Sequence, residues 1–228
     1  MNTMVIYEDS EILVIHKPAG IATETARFGQ ADVVSELKNY LHRTGQGTYL
    51  GMVHRLDQPV EGLLVFGKTQ AATRFLTNSL QKGSLKKSYQ ALVACENEIS
   101  SEGMLLTDYL CKDAKTNLSK VVDQGTQGAK KAQLVWKPVN CKEIDGCRYA
   151  LLEIELYTGR HHQIRVQMAH AGMPLLGDHK YGNVYSKELS VKLGIRQTAL
   201  LAGQLQLIHP KTKEQLSFSL PYPEIWHM

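Results

Sequence analysis

The chain has 228 residues, 43% hydrophobic and 21% charged, with 26 basic and 22 acidic side chains for a formal net charge of +4. That length predicts one domain, or one domain in two lobes, able to bury a core without disulfide or metal staples. The composition excludes disordered and collagen-like classes, and no apolar run nears the ~20 residues that span a bilayer.

The opening Met1-Asn2-Thr3-Met4-Val5-Ile6-Tyr7-Glu8-Asp9 has neither the basic nor the long apolar segment of a secretory signal, so a cytoplasmic location is expected. Residues 4–7 and 12–16 read as strands joined by an acidic turn, and Lys17-Pro18-Ala19-Gly20 ends the second. Over 32–43, Val33, Val34, Leu37, Tyr40 and Leu41 recur at helical spacing, with Gly45 and Gly47 closing the helix. Residues 51–56 and 62–67 read as strands split at Pro59, which puts Asp57 in a loop. Thr69 is a good N-cap for a helix ending near Gly83. Residues 87–94 read as a strand, and the polar stretch 112–131 as a long loop or hairpin. A strong strand over 148–157 turns at Tyr157-Thr158-Gly159 into a predicted helix, 160–171, and 203–209 with 215–220 read as a hairpin. The sum is an α+β fold dominated by strands, with two or three helices.

Cys95, Cys111, Cys141 and Cys147 form no Cys-x-x-Cys pair and have no histidine at zinc spacing, so free thiols are expected. The charge is uneven. Residues 1–114 carry 11 basic and 13 acidic side chains, and residues 115–228 carry 15 and 9. A net +6 in the second half suits a face for a polyanion.

Three segments carry chemistry. In His54-Arg55-Leu56-Asp57 a carboxylate stands at a strand-to-loop corner, where it serves as nucleophile, general base or metal ligand, or simply caps a turn. Lys86-Lys87-Ser88-Tyr89 follows Lys82, a basic run around an aromatic that suits a phosphate backbone with a base to stack. A solvated helix end before a core tyrosine explains it equally well. Gly159-Arg160-His161-His162-Gln163-Ile164-Arg165-Val166 opens the third predicted helix with two anion-clamping arginines. Adjacent histidines on a helix diverge by about 100°, which argues against a metal on His161, His162 and His170. Asp178 reads as a turn residue. No P-loop, dinucleotide-binding Gly-x-Gly-x-x-Gly or Gly-x-Ser-x-Gly occurs.

Taken in order, these segments resemble the RluA-type pseudouridine synthases. The resemblance runs through Tyr7-Glu8-Asp9, His16-Lys17-Pro18-Ala19-Gly20, His54 to Asp57, Gly62-Leu63-Leu64, Lys68-Thr69 and Lys87-Ser88-Tyr89. It continues through Gly159 to Val166, Gly177 to Gly182, Ala199-Leu200, His209-Pro210 and Phe218, nearly the whole chain. The chain departs from the family at Val60-Glu61, where Thr-Ser is usual, and at His161, where Thr is usual. Glu61, four residues from Asp57, is expected to tune the site or touch RNA.

The resemblance implies a single catalytic domain over 1–228, without the S4-like RNA-binding extension of many relatives. It implies a mixed, mainly antiparallel bent β-sheet in two lobes, with a central basic cleft and flanking helices. It implies isomerisation of a uridine in structured RNA, ribosomal or transfer, with base flipping and with no cofactor, metal or membrane. A monomer is the default. The implied catalytic residues are Asp57, which attacks C1′ or removes a sugar proton, Tyr89, which stacks on the uracil and relays the C5 proton, and Arg165, the natural ion-pair partner of Asp57. Arg55 would fill the gap left by the flipped base. His54 is taken as a further substrate contact, and Lys82, Lys86, Lys87, Arg160 and His162 as phosphate contacts. Two rival readings use the same scaffold: an N-glycosylase that releases the base, and an RNA-binding protein or chaperone without catalysis.

Overall fold

The structure, a computed structural model, describes residues 4–25 and 29–226. Part of the leader reading falls on residues 1–3, which lie outside the described residues. The chain divides into two compact units, Met1–Lys87 with Ala202–Pro221, and Ser88–Leu201 with Tyr222–Met228.

In the first unit, β1 (Met4–Glu8) and β2 (Ile12–Lys17) form a hairpin. Its turn is made by Asp9, whose carboxylate accepts the N–H groups of Glu11 and Ile12 at 2.7 and 2.8 Å. β2 pairs antiparallel with β4 (Glu61–Gly67), from Ile12 opposite Gly67 to Lys17 opposite Gly62. The short β3 (Gly51–Met52) pairs with the far end of β4. β10 (Leu200–Ile208) and β11 (Gln215–Ser219) make a hairpin, and the order is β1-β2-β4-β10. Ile12, Val14, Leu63, Val65, Leu205 and Leu207 form the core beneath α2 (Gln70–Gln81). Thr69 caps α2 by accepting from Ala72 N at 3.0 Å, and Asp32 caps α1 (Val33–Arg43) through Ser35 N at 2.8 Å.

In the second unit the order is β5 (Lys86–Cys95), β9 (Cys147–Leu156), β8 (Lys130–Ile144), β6 (Met104–Asp113) and β7 (Leu118–Val122), all antiparallel. The first two residues of β5 fall in the first unit. Pro138 interrupts β8 at a register shift, as expected where proline lacks an N–H for the ladder. Two helices, α3 (Gln163–His170) and α4 (Val184–Lys192), complete the unit. The expected α+β class holds, with strands in the majority and four α-helices among the described residues rather than two or three.

Two expectations need correction. The strand over 51–56 ends at Met52, because both backbone groups of Leu56 bond the Thr23 hydroxyl, at 2.9 and 3.2 Å, instead of a neighbouring strand. The helix over 160–171 starts only at Gln163. His162 is left-handed (φ 54°), and the Gln163 amide takes the Arg160 N–H and the Thr158 hydroxyl at 2.9 and 2.8 Å. Arg160, His161 and His162 therefore precede the helix. Of the two readings of the polar stretch 112–131, the hairpin holds: it contains the β6–β7 turn and β7, and ends in the start of β8.

Candidate active site

Asp57 is half-buried, at the start of the tight turn closed by Val60 N on the Asp57 carbonyl at 3.0 Å. The chain before it alternates: His54 and Leu56 point inward and Arg55 outward. The turn is anchored by a residue whose charge alone would place it outside. Lys17 is fully buried, and its ammonium donates to the carbonyls of Pro18, Ile21 and Gln58 at 3.0, 2.8 and 3.2 Å. Burial lowers Lys17 to about 8, while the charges of Asp57 and Glu61 work in the opposite direction. Gly20 N and the Gln58 carbonyl bond at 2.8 Å, and the Gln58 side chain returns to the Gly20 carbonyl at 3.0 Å. The loop carrying Asp57 is thus tied to the Lys17-Pro18-Ala19-Gly20 segment through Gln58. Glu61 meets His16 Nε2 at 2.7 Å.

His54 is buried, and neither ring nitrogen has a hydrogen-bond partner. Desolvation holds it well below its ordinary range, reinforced by the Lys87 ammonium. His54 is therefore neutral, and it and Lys87 stand close enough to interact. Lys86 and Arg55 are exposed, and Lys87 is partly so.

Tyr89, Arg165, Arg160 and His162 belong to the second unit. Tyr89 is a buried residue of β5, opposite Ile154 on β9. Arg165 is buried on α3 and makes a bidentate pair with Asp178, Nε to Oδ2 and Nη2 to Oδ1, each at 2.7 Å. Asp178 does keep the turn role read from the sequence, accepting from Lys180 N and Tyr181 N at 2.9 and 3.2 Å. Its burial favours the neutral carboxyl, but the Arg165 hydrogen bonds and charge outweigh that and hold it below the usual carboxylate range. Sequence reasoning pairs Arg165 with Asp57; the structure shows it paired with Asp178.

His162 is buried, with Nδ1 2.7 Å from the Tyr181 hydroxyl, and its ring stacks on His161 at 3.7 Å. Burial, then the charges of Arg165, His161 and Lys180, lower His162 to about 3. Arg160 is exposed, and its Nε donates to the Lys131 carbonyl at 2.9 Å. Lys17, Asp178 and Tyr181 are the site residues that sequence reasoning missed. The resemblance had marked all three segments, yet pattern alone could not say that a lysine ends inside or which acid meets Arg165.

A family profile described as RNA pseudouridylate synthase matches residues 11–170, well over half of the chain. The uncharacterized RNA pseudouridine synthase YhcT of Bacillus subtilis is 36% identical over 96% of this chain and 68% of its own length. The tRNA pseudouridine synthase C of Haemophilus ducreyi is 28% identical over 100% of this chain and 94% of its own. A ribosomal large subunit pseudouridine synthase D of Neisseria meningitidis is 33% identical over 98% and 59%. Among solved structures, human RNA Pseudouridylate Synthase Domain Containing 4 superposes with a TM-score of 0.77 at 20% identity, over 98% of this chain and 90% of that one.

Proposed function

We propose a mechanism from the premise that the chain belongs to the RNA pseudouridylate synthase family. It is an isomerase of the RluA type that converts uridine in RNA to pseudouridine. The N1–C1′ bond breaks, a C5–C1′ bond forms, C5 loses a proton and N1 gains one. Atoms balance without redox partner, energy source, cofactor or metal, and the residues discussed above supply what the reaction asks of the protein. The target is a uridine in structured ribosomal or transfer RNA, since relatives of both kinds match.

In this reading Asp57 acts at the sugar, either attacking C1′ or removing a proton from it. The observation that carries the reading is the corner that presents Asp57. Its carbonyl closes the turn with Val60 N, and the next residue, Gln58, is clamped by Lys17 and Gly20. A carboxylate on so constrained a loop is preorganised, which is what a positioned nucleophile or base requires. Tyr89 stacks on the uracil turned out of the RNA and relays the C5 proton. Arg165 offsets the charge of the acidic centre. Exposed Arg55 fills the space left by the base, and Lys86, Lys87 and Arg160 meet phosphates. Buried His54 and His162 act by shaping the site, not by holding phosphate. The chain works as a monomer in the cytoplasm with RNA as its partner. Among the described residues no helix is long and apolar enough to cross a membrane.

The test is incubation of the protein with transcribed ribosomal and transfer RNA, followed by digestion to nucleosides. Wild type converts uridine to pseudouridine at unchanged RNA mass, and Asp57→Asn binds RNA without converting it. Release of free uracil would indicate the N-glycosylase. Equal binding with no conversion by either protein would indicate a binding protein or chaperone.

A further inference from the structure

The guanidinium of Arg165 is held on two sides. Asp178 grips one edge with two 2.7 Å bonds, which fixes its direction in the plane. An edge grip still leaves the plane free to tilt. The Tyr181 ring lies across the face, with the Arg165 Cζ 5.1 Å from its centroid, a distance at which the ring attracts the cation. The two supports are linked, because the Tyr181 N–H itself donates to Asp178 Oδ1 at 3.2 Å.

Tyr181 is held in turn at its far end. Its hydroxyl oxygen accepts the backbone N–H of Ser119, on β7, at 2.9 Å. The same hydroxyl lies 2.7 Å from His162 Nδ1. A neutral imidazole has one N–H, so this bond runs from the tyrosine hydroxyl to Nδ1 in one tautomer and from Nδ1–H to the hydroxyl oxygen in the other. Ser119 also reaches the neighbouring ring, with its Oγ 2.9 Å from His161 Nδ1. The two imidazoles are stacked at 3.7 Å, and the His162 ring meets the Tyr181 ring edge-on at 5.6 Å. One residue of the β6–β7 hairpin thus touches both the tyrosine that covers Arg165 and the histidine pair just before α3.

We propose that Tyr181 is a positioning residue for Arg165: its ring sets the tilt of the guanidinium, and its hydroxyl ties that tilt to the docking of β7 through Ser119. The inference rests on the reading of Arg165 as part of the isomerase site. It assigns Tyr181 no contact with RNA. β7 is the last strand in the sheet order and pairs with β6, so its docking through Ser119 is a natural point at which the site is assembled or loosened. His161, where the family usually has threonine, makes the attachment in this chain partly aromatic.

The test compares wild type, Tyr181→Phe and Tyr181→Leu. The first variant keeps the ring and loses the hydroxyl; the second loses both. Each is 15N-labelled, and the Arg165 Nε–H resonance is identified by its loss in Arg165→Lys. Single-turnover rate, RNA Kd and Tm are measured on the same proteins. Tyr181→Phe should broaden the Arg165 resonance and slow single turnover about tenfold, as for one well-placed hydrogen bond lost. Kd should stay within about twofold, since no phosphate contact is removed. Tyr181→Leu should go further, about a hundredfold, for ring and hydroxyl together. If Tyr181→Leu does not fold, Tyr181→Phe carries the test alone. An Arg165 resonance identical in wild type and Tyr181→Phe overturns the inference whatever the rates. So does a loss confined to Kd or Tm. A wild type that does not convert uridine overturns the proposed function instead, and the resonance still decides the role of Tyr181.

Discussion

Arg165 and Asp178 are both nearly solvent-free, at 3% and 2% exposure. A buried pair of this kind adds little when intact but is expensive to break, because the surviving charge has no water. Asp178→Asn should therefore lower the unfolding free energy by about 3–5 kcal/mol, read as an earlier midpoint in urea; an unshifted midpoint would contradict the pairing. The histidines give a pH signature. His162 is held at about 3, and His54 well below its normal value. The unfolded chain takes up these protons near pH 6.5, before the folded chain does, so protonation favours unfolding. Their contribution is complete above about pH 6.5 and is lost as the pH falls from there toward 3, by up to about 1.4 kcal/mol per pH unit per histidine. Urea midpoints should fall between pH 7 and 5, and His54→Leu should fall less steeply than wild type. Equal slopes would show that His54 titrates normally.

The packing of α2 on the strands beside it depends on two glycines. Gly51 and Gly67 both face Thr73, and a Cβ on Gly67 would stand 2.6 Å from the Thr73 backbone nitrogen. A backbone atom cannot swing aside, so Gly67→Ala should push α2 outward and destabilise by about 1–3 kcal/mol; an unchanged Tm would show that the helix has room. Elements set by local rules were legible in the sequence. α1 announces itself through its apolar stripe and α2 through its Thr69 cap, and the β1–β2 and β10–β11 hairpins through their turns. Elements set by tertiary contact were not. α4 offers no stripe: Val184 and Val191 are 72% and 82% exposed, while Ser186 and Ser190 are buried. β6 and β8 went unread because exposed and polar residues run through them, their pairing being fixed by neighbours. α3 starts late because Gln163 captures the preceding backbone. The site divides in the same way. Asp57, Tyr89 and Arg165 are proposed through family motifs, whereas the bonds of Lys17 to Gln58, of Asp178 to Arg165 and of Tyr181 to Ser119 join residues far apart in the chain.

Charge is the property that belongs to the molecule as a whole. With net +6 over residues 115–228 and a basic run at Lys82, Lys86 and Lys87, RNA binding should be strongly salt-dependent. Lys86→Ala with Lys87→Ala should weaken RNA binding and reduce the slope of log K against log salt by about 1.5, near 0.7–0.9 per phosphate contact removed. An unchanged slope would remove this strand from the binding face. The central claim, that Asp57 on its clamped loop isomerises uridine, is tested most directly in cells. Pseudouridine is mapped by carbodiimide primer-stop sequencing of total RNA from cells lacking the gene, restored with wild type or with Asp57→Asn. The account predicts that one or a few pseudouridines vanish without the gene, return with wild type and stay absent with Asp57→Asn. Restoration by Asp57→Asn, or maps that never differ, would contradict it.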